Sequence, residues 1–139
     1  MKKFFGLVGT LIVVVLAALY INHLRQRSAV DRRGNLQDEL IAAAEQIRPT
    51  LPRRIDGATL IGISTADTSL TYQYKLDIKN SQLPANAVDA LNKAAVQQVC
   101  KSTQMVELMS MGATYINSYV DADSRWVAQF TVRNRDCET

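Results

Sequence analysis

Residues 58–78 read ATLIGISTADTSLTYQYKLDI, and this stretch decides the fold. Its second half alternates apolar and polar residues with a period of two, which is typical of a strand with one buried face. The apolar positions of that half are Leu70, Tyr72, Tyr74, Leu76 and Ile78. Because the turn residues 66–68 separate this alternating run from the run at 58–65, we expect a β-hairpin with strands at 58–65 and 69–78.

The same pattern recurs near the C-terminus, where residues 113–121 and 125–132 flank the turn sequence DADS. Between the two hairpins, residues 85–100 carry apolar side chains at helical spacing, and a short third helix is expected to end at Gly112. A first helix is expected to begin at Asn35. We therefore predict an α+β domain, with a small antiparallel sheet made of two β-hairpins and helices packed on one face.

The N-terminal stretch 4–21 reads FFGLVGTLIVVVLAALYI and contains no charged residue. As a helix it would measure about 27 Å, close to the thickness of the hydrocarbon core of a bilayer. A cleaved signal peptide is the alternative, since Ala17 and Ala18 are small residues near a possible cleavage point. We predict a membrane anchor at 1–22, a basic tether at 23–34 and a periplasmic domain at 35–139.

The basic charge of the chain is concentrated next to the predicted anchor. The formal net charge is +3, but residues 1–54 are strongly basic whereas residues 55–139 are slightly acidic. The membrane-proximal arginines can contact anionic lipid headgroups or form a solvated tether; they are Arg25, Arg27, Arg32 and Arg33. A slightly acidic domain argues against nucleic acid as a partner, because that would require a basic face with stacking aromatic residues.

The chain contains two cysteines, Cys100 and Cys137. A disulfide between them would contribute roughly 3–4 kcal/mol in the chain-entropy model. Two free thiols, or a metal or redox pair, are the alternatives. The single histidine, His23, lies beside the predicted anchor, so we expect no metal site and no cofactor. The export-type N-terminus and the even cysteine count favour a single-pass inner-membrane protein with its domain in the periplasm.

Two segments of the soluble part carry a resemblance to known proteins. They are LPRRIDGATLIGISTADTSLTYQYKL at 51–76 and CKSTQMVELMSMGATYINSYVDADSRWVAQFTVRNRDC at 100–137. Together they resemble a loose group of small exported bacterial proteins, many without assigned function. The resemblance covers roughly residues 50–137 and implies the same α+β domain and a disulfide between the two cysteines. It brings no catalytic residues, and a retained anchor departs from the group.

The sequence contains no phosphate-binding loop, HExxH or GxGxxG motif. Glu107, Asp121 and Asp56 leave a small envelope hydrolase that uses carboxylates as an alternative. Aromatic residues on the two hairpins would form a possible interface where they face outward. These residues are Tyr72, Tyr74, Tyr115, Tyr119 and Trp126.

The function that these features favour is protein binding without catalysis. We predict a membrane-anchored periplasmic module whose partner is another envelope protein. Its role would be that of an immunity or exclusion factor, or of an accessory subunit in an envelope assembly such as a secretion or pilus system. If the N-terminal segment is cleaved, a soluble periplasmic binding protein is the alternative.

Overall fold

The structure, a computed structural model, describes the backbone of residues 2–55 and 57–138; the side chains of residues 2–18, 24 and 26–30 lie outside the described part. The chain divides into two compact units, residues 1–35 and 36–139. Helix α1 comprises Lys2–Ile47. The helix start predicted at Asn35 is therefore wrong. The region predicted as a tether contains no proline and is rich in arginine, which favours helix, so the backbone remains helical there.

For residues 2–18 only the helical backbone is described. The membrane anchor predicted at 4–21 therefore lies almost entirely outside the described side chains. In the part of the chain that the structure describes, no helix has both the length and the apolar character needed to cross a bilayer.

The second unit contains the last part of α1, five strands and two further helices. Its predicted strands and its second helix agree with the observed bounds to within two residues at each end. The elements are β1 (Arg53–Ile55), β2 (Ala58–Ala66), β3 (Ser69–Leu76), α2 (Ala87–Lys101), α3 (Thr103–Ser110), β4 (Thr114–Val120) and β5 (Trp126–Val132), with 3-10 turns at Arg48–Thr50, Asn80–Gln82 and Asn134–Cys137.

The five strands form one sheet in the order β1-β2-β3-β4-β5. Strands β2 and β3 are antiparallel, as are β4 and β5, but β3 and β4 are parallel, with Leu70 opposite Tyr115. The prediction of an antiparallel sheet is wrong at this central pair. Helices α2 and α3 lie between the two hairpins. They form a crossover connection that is long enough for β4 to run parallel to β3. The edge strand β1 was not predicted from the sequence.

One face of the sheet carries the core of the second unit. Buried positions alternate with less buried ones along β3 and β4, as expected when only one face is covered. The helices contribute Leu40 from α1, Val99 from α2 and Leu108 from α3 to the same apolar cluster. The helices thus pack against the inner face of the sheet, and their packing determines which parts of that face stay open.

Two residues determine where α3 begins and ends. The hydroxyl of Ser102 accepts a hydrogen bond of 3.3 Å from the Met105 N–H, which satisfies a free donor of the first turn. At the other end Gly112 has φ +108°, and its N–H donates to the Met109 carbonyl at 3.0 Å. A side chain would be strained at this φ, so the cap predicted at Gly112 is confirmed.

Candidate functional site

Cys100 and Cys137 form a disulfide with a Cα–Cα distance of 5.4 Å, which confirms the predicted bond. Cys100 lies in the last turn of α2, and Cys137 ends the C-terminal 3-10 turn Asn134–Cys137. This turn also contacts α3. The bond therefore holds the C-terminal segment against the C-terminal end of α2.

The four tyrosines of the hairpins lie in the core. Their rings are nearly parallel, with centroids 5.1 Å apart for Tyr74 and Tyr119 and 6.4 Å apart for Tyr72 and Tyr115. Burial raises the pKa of Tyr115 and Tyr119 to about 12, and it also raises the pKa of Tyr72 and Tyr74, so all four phenols are neutral at physiological pH. Of the five aromatic residues considered as an interface, only Trp126 is exposed, at 67%.

The membrane-proximal arginines belong to α1 in the first unit. The side chains of Arg25, Arg32 and Arg33 are exposed, whereas that of Arg27 lies outside the described residues. His23 is also exposed on this helix.

The carboxylates considered for catalysis do not form a described cluster. Asp56 lies outside the described residues, and Glu107 is exposed on α3. Within residues 2–55 and 57–138, no three side chains of histidine, cysteine, aspartate or glutamate are grouped so that they could hold a metal ion.

Asp121 is 1% exposed and orders the turn between β4 and β5. One carboxylate oxygen accepts a hydrogen bond from the Asn80 N–H, and the other accepts from the N–H groups of Asp123 and Arg125, each at 2.9 Å. These hydrogen bonds, that from Asn80 foremost, hold the pKa of Asp121 below its usual range. Because both oxygens are engaged with backbone, the geometry is that of a structural residue.

An open groove runs along α2. The helix packs against β5, α3 and the C-terminal turn, and its residues Ala95 and Val99 are buried in doing so. Other side chains of α2 line two adjoining cavities, and Leu91 is part of the lining of both. We call these two cavities together the α2 groove, with an apolar and a polar compartment.

The apolar compartment lies beside the N-terminal half of α2 and has a volume of about 520 Å³. Asp77, the charged residue in its lining, is paired with Arg54. The apolar side chains of the wall come from β3, from the segment that follows it and from α2: Leu76, Ile78, Leu83, Pro84, Ala87 and Ala90.

The polar compartment lies beside the C-terminal half of α2 and has a volume of about 400 Å³. Its lining combines the stacked rings of Tyr74 and Tyr119 with three polar side chains of α2, Gln97, Gln98 and Lys101. Aliphatic side chains complete it: Ile55, Ala58, Leu91 and Ala94. Lys101 is the charged residue of this lining. In the part of the chain that the structure describes, no carboxylate lies within ion-pair distance of Lys101.

The lining of the α2 groove offers few groups for catalysis among the residues that the structure describes. Its polar side chains carry amides, phenols, one ammonium and the carboxylate of Asp77, which is paired with Arg54, and no nucleophile is paired with a base among these described residues. The sequence interpretation missed this surface because it assigned one stripe of α2 to the core: Val88, Leu91, Ala95 and Val99. Only its C-terminal half is buried, since Val88 is exposed and Leu91 lines both cavities. A second stripe at spacings of three and four was visible in the sequence: Ala87, Ala90, Ala94, Gln98 and Lys101.

No family model matches this chain, and no curated protein matches it significantly. Its structure is similar to that of the pilotin EpsS from the Vibrio vulnificus type 2 secretion system, with a TM-score of 0.71 and 13% identity. That similarity covers 78% of this chain and 97% of the pilotin chain.

Two further structures are similar over nearly the same part of the chain. The type II secretion system pilotin AspS from Vibrio cholerae gives a TM-score of 0.67 at 14% identity, covering 78% of this chain and 97% of the other. A Pseudomonas aeruginosa protein described as secreted gives a TM-score of 0.67 at 18% identity, covering 76% and 96%. At these identities the likeness establishes the fold, and it agrees with the predicted resemblance to small exported bacterial α+β proteins.

Proposed function

We propose that this protein is a non-enzymatic accessory subunit of a bacterial envelope assembly such as a secretion system, and that it binds another envelope protein in the α2 groove. The observation that carries the proposal is the open apolar compartment, in whose lining Ile78 is 41% exposed. Exposed apolar surface in a groove is characteristic of sites that bind protein segments. Two of the three similar structures are type 2 secretion pilotins, and this is our reason for naming a secretion system.

The proposal includes a membrane tether. Residues 4–21 would cross the inner membrane once, residues 23–34 would hold basic side chains near the lipid surface, and the domain from residue 35 onward would lie in the periplasm. A tether of this kind raises the effective concentration of the domain for partners held at the same membrane. The Cys100–Cys137 disulfide supports the periplasmic side, since such bonds persist in oxidising compartments.

The test compares two tryptophan substitutions on α2 in the full-length, tagged protein expressed in its native host. Ala90→Trp places an indole in the apolar compartment, whereas Asn92→Trp places it at an exposed position outside the groove lining. After detergent extraction, the amount of each co-purifying envelope protein is measured by quantitative mass spectrometry. We expect Ala90→Trp to lower recovery of the partner by about tenfold or more, because the groove is filled.

Both variants must keep the wild-type melting temperature and the disulfide, so that a loss of binding is not a loss of folding. Asn92→Trp should then recover the partner at the wild-type level. Equal recovery of the same partner by the Ala90→Trp variant would contradict the proposed function.

A further inference from the structure

The shape of the α2 groove indicates what kind of ligand fills it. On the helix side, Ala90, Ala94, Gln98 and Lys101 line the groove and are exposed. The groove is therefore open to solvent along α2, whereas small-molecule sites bury most of their ligand. From Ala87 to Lys101 the helix rises about 21 Å, which matches a helical or extended segment of a polypeptide rather than a compact ligand.

The two compartments differ in the chemistry that they offer. The apolar compartment is walled by side chains such as Leu76 and Leu83, and its Asp77 is already paired with Arg54. The polar compartment holds the cation of Lys101, which has no carboxylate partner among the described residues. One end of the groove is thus complementary to apolar side chains, and the other end is complementary to an anion.

The groups that surround Lys101 strengthen this complementarity. Gln97 carries an amide donor, the amide of Gln98 is hydrogen-bonded to the Tyr74 phenol, and Tyr119 contributes a hydroxyl group to the same lining. Burial raises the pKa of Tyr119 to about 12, so its hydroxyl keeps its proton and does not repel an anion. Since the lining contains no acidic residue, a carboxylate brought to Lys101 would meet donors and no like charge.

We propose that the α2 groove binds a polypeptide segment of the envelope partner in one direction, with apolar side chains in the apolar compartment and a carboxylate, from an acidic side chain or a chain terminus, paired with Lys101. This inference rests on the proposed function and specifies the partner's chemistry. It assigns Lys101 a role in specificity, because a segment placed in the opposite direction would leave Lys101 facing apolar side chains.

The test uses the full-length protein in its native host, with a photo-crosslinking amino acid replacing Gln97 beside Lys101. Crosslinking yield is compared for three backgrounds: the otherwise unchanged chain, Lys101→Glu and Lys93→Glu. Lys93 is exposed on α2 outside the groove lining, so its substitution makes the same charge change without touching the site. We expect Lys101→Glu to lower the crosslinking yield by about tenfold and Lys93→Glu to leave it within about twofold.

Peptide mapping of the crosslinked product supplies the second readout. The mapped segment is expected to contain a carboxylate next to a run of apolar residues. When that carboxylate is an acidic side chain, its replacement by lysine in the partner should restore crosslinking to the Lys101→Glu variant. When it is a chain terminus, extending the terminus by a few residues should lower the crosslinking yield as much as Lys101→Glu does. Lys101→Gln serves as a milder variant, and all variants are compared only when their melting temperatures match.

The possible failures are distinguishable. If Ala90→Trp abolishes binding but Lys101→Glu does not, the carboxylate inference is overturned and the proposed function stands. If Ala90→Trp leaves binding unchanged, the proposed function itself fails. A crosslinked segment without a carboxylate, a lipid adduct, or a product with the mass of two copies of this chain would each overturn the inference.

Discussion

Asp121 joins two parts of the chain that are far apart in sequence. Its carboxylate bonds to the turn that follows β4 and to the N–H of Asn80, which is 41 positions away. The Ala122 N–H adds a hydrogen bond to the Ile78 carbonyl at 3.0 Å, so both loops are held at the same end of the sheet. The negative charge is what these backbone donors stabilise.

We expect acid to destabilise the fold through Asp121. Its pKa is lowered by folding from an ordinary value of 3.8, so its contribution is complete above that value and is lost as the pH falls through the lower pKa of the folded state. Asp121→Asn should lower the urea midpoint at pH 7 and reduce the difference in stability between pH 7 and pH 3. Urea unfolding at a series of pH values measures both effects.

Glu107→Gln is the matched control, because it removes a carboxylate that is exposed on α3. Its unfolding curves should follow those of the wild type at every pH. An Asp121→Asn variant with the wild-type pH dependence would contradict the structural role of this carboxylate.

The four tyrosines considered as a possible interface are buried, which the alternation along β3 and β4 explains, whereas the burial of Asn117 was not expected. Tyr72 and Tyr74 alternate in step with Leu70 and Leu76, so they belong to the same inner face of β3. Asn117 occupies the equivalent inner face of β4, where it is 2% exposed and its side-chain Nδ2 has no hydrogen-bond partner in the described structure. Alternation places Asn117 on the same face as the buried tyrosines. Because buried polar side chains usually have a hydrogen-bond partner, a buried Asn117 without one is an exception.

At the level of elements, α2 depends on covalent attachment as well as on packing. The disulfide joins residues separated by 37 positions and holds the C-terminal turn to the end of the helix. Without the bond, the unfolded chain can adopt more conformations. The disulfide lowers the conformational entropy of the unfolded state and so stabilises the folded state.

We expect the double variant Cys100→Ala/Cys137→Ala to lose roughly 3–4 kcal/mol of unfolding free energy, as the chain-entropy model gives for a loop of this length. Denaturant unfolding of the oxidised wild type and of the variant measures the difference. Wild-type protein treated with a reductant is the control and should lose a similar amount. A loss below about 1 kcal/mol would contradict this entropic role of the disulfide.

The positions of the strands were predictable, but their pairing was not. Alternation and turn residues locate each hairpin, because both signals lie within a few neighbouring residues. The parallel pairing of β3 with β4 depends on how the α2–α3 crossover returns to the sheet, which no local pattern records. Strand β1 has three residues, too few to show alternation. The α2 groove results from the same long-range placement, and only its helix side was visible in the sequence.

At the scale of the whole molecule, the proposed topology places both cysteines outside the cytoplasm. In intact cells, a membrane-impermeant maleimide should therefore label Cys100 and Cys137 only after a reductant has opened the disulfide. The measurement is the mass shift of the full-length protein after labelling with and without reductant.

A single added cysteine separates topology from oxidation. In the Cys100→Ala/Cys137→Ala background, Asn92→Cys introduces one thiol at an exposed position of α2. A periplasmic domain predicts that this thiol is labelled in intact cells without reductant. Labelling that requires cell lysis would place the domain in the cytoplasm and contradict the proposed membrane orientation.

Helix α2 is more firmly fixed at its C-terminal end than at its N-terminal end. Its C-terminal end carries the disulfide and the buried Val99, whereas Val88 and Ala90 near its N-terminal end are exposed. Because local opening is easiest where few side chains are buried, we expect the width of the apolar compartment to vary more than that of the polar compartment. Across species, we therefore expect the partner's side chains to vary in size where they contact the N-terminal end of α2. We expect one negative charge to be conserved opposite Lys101.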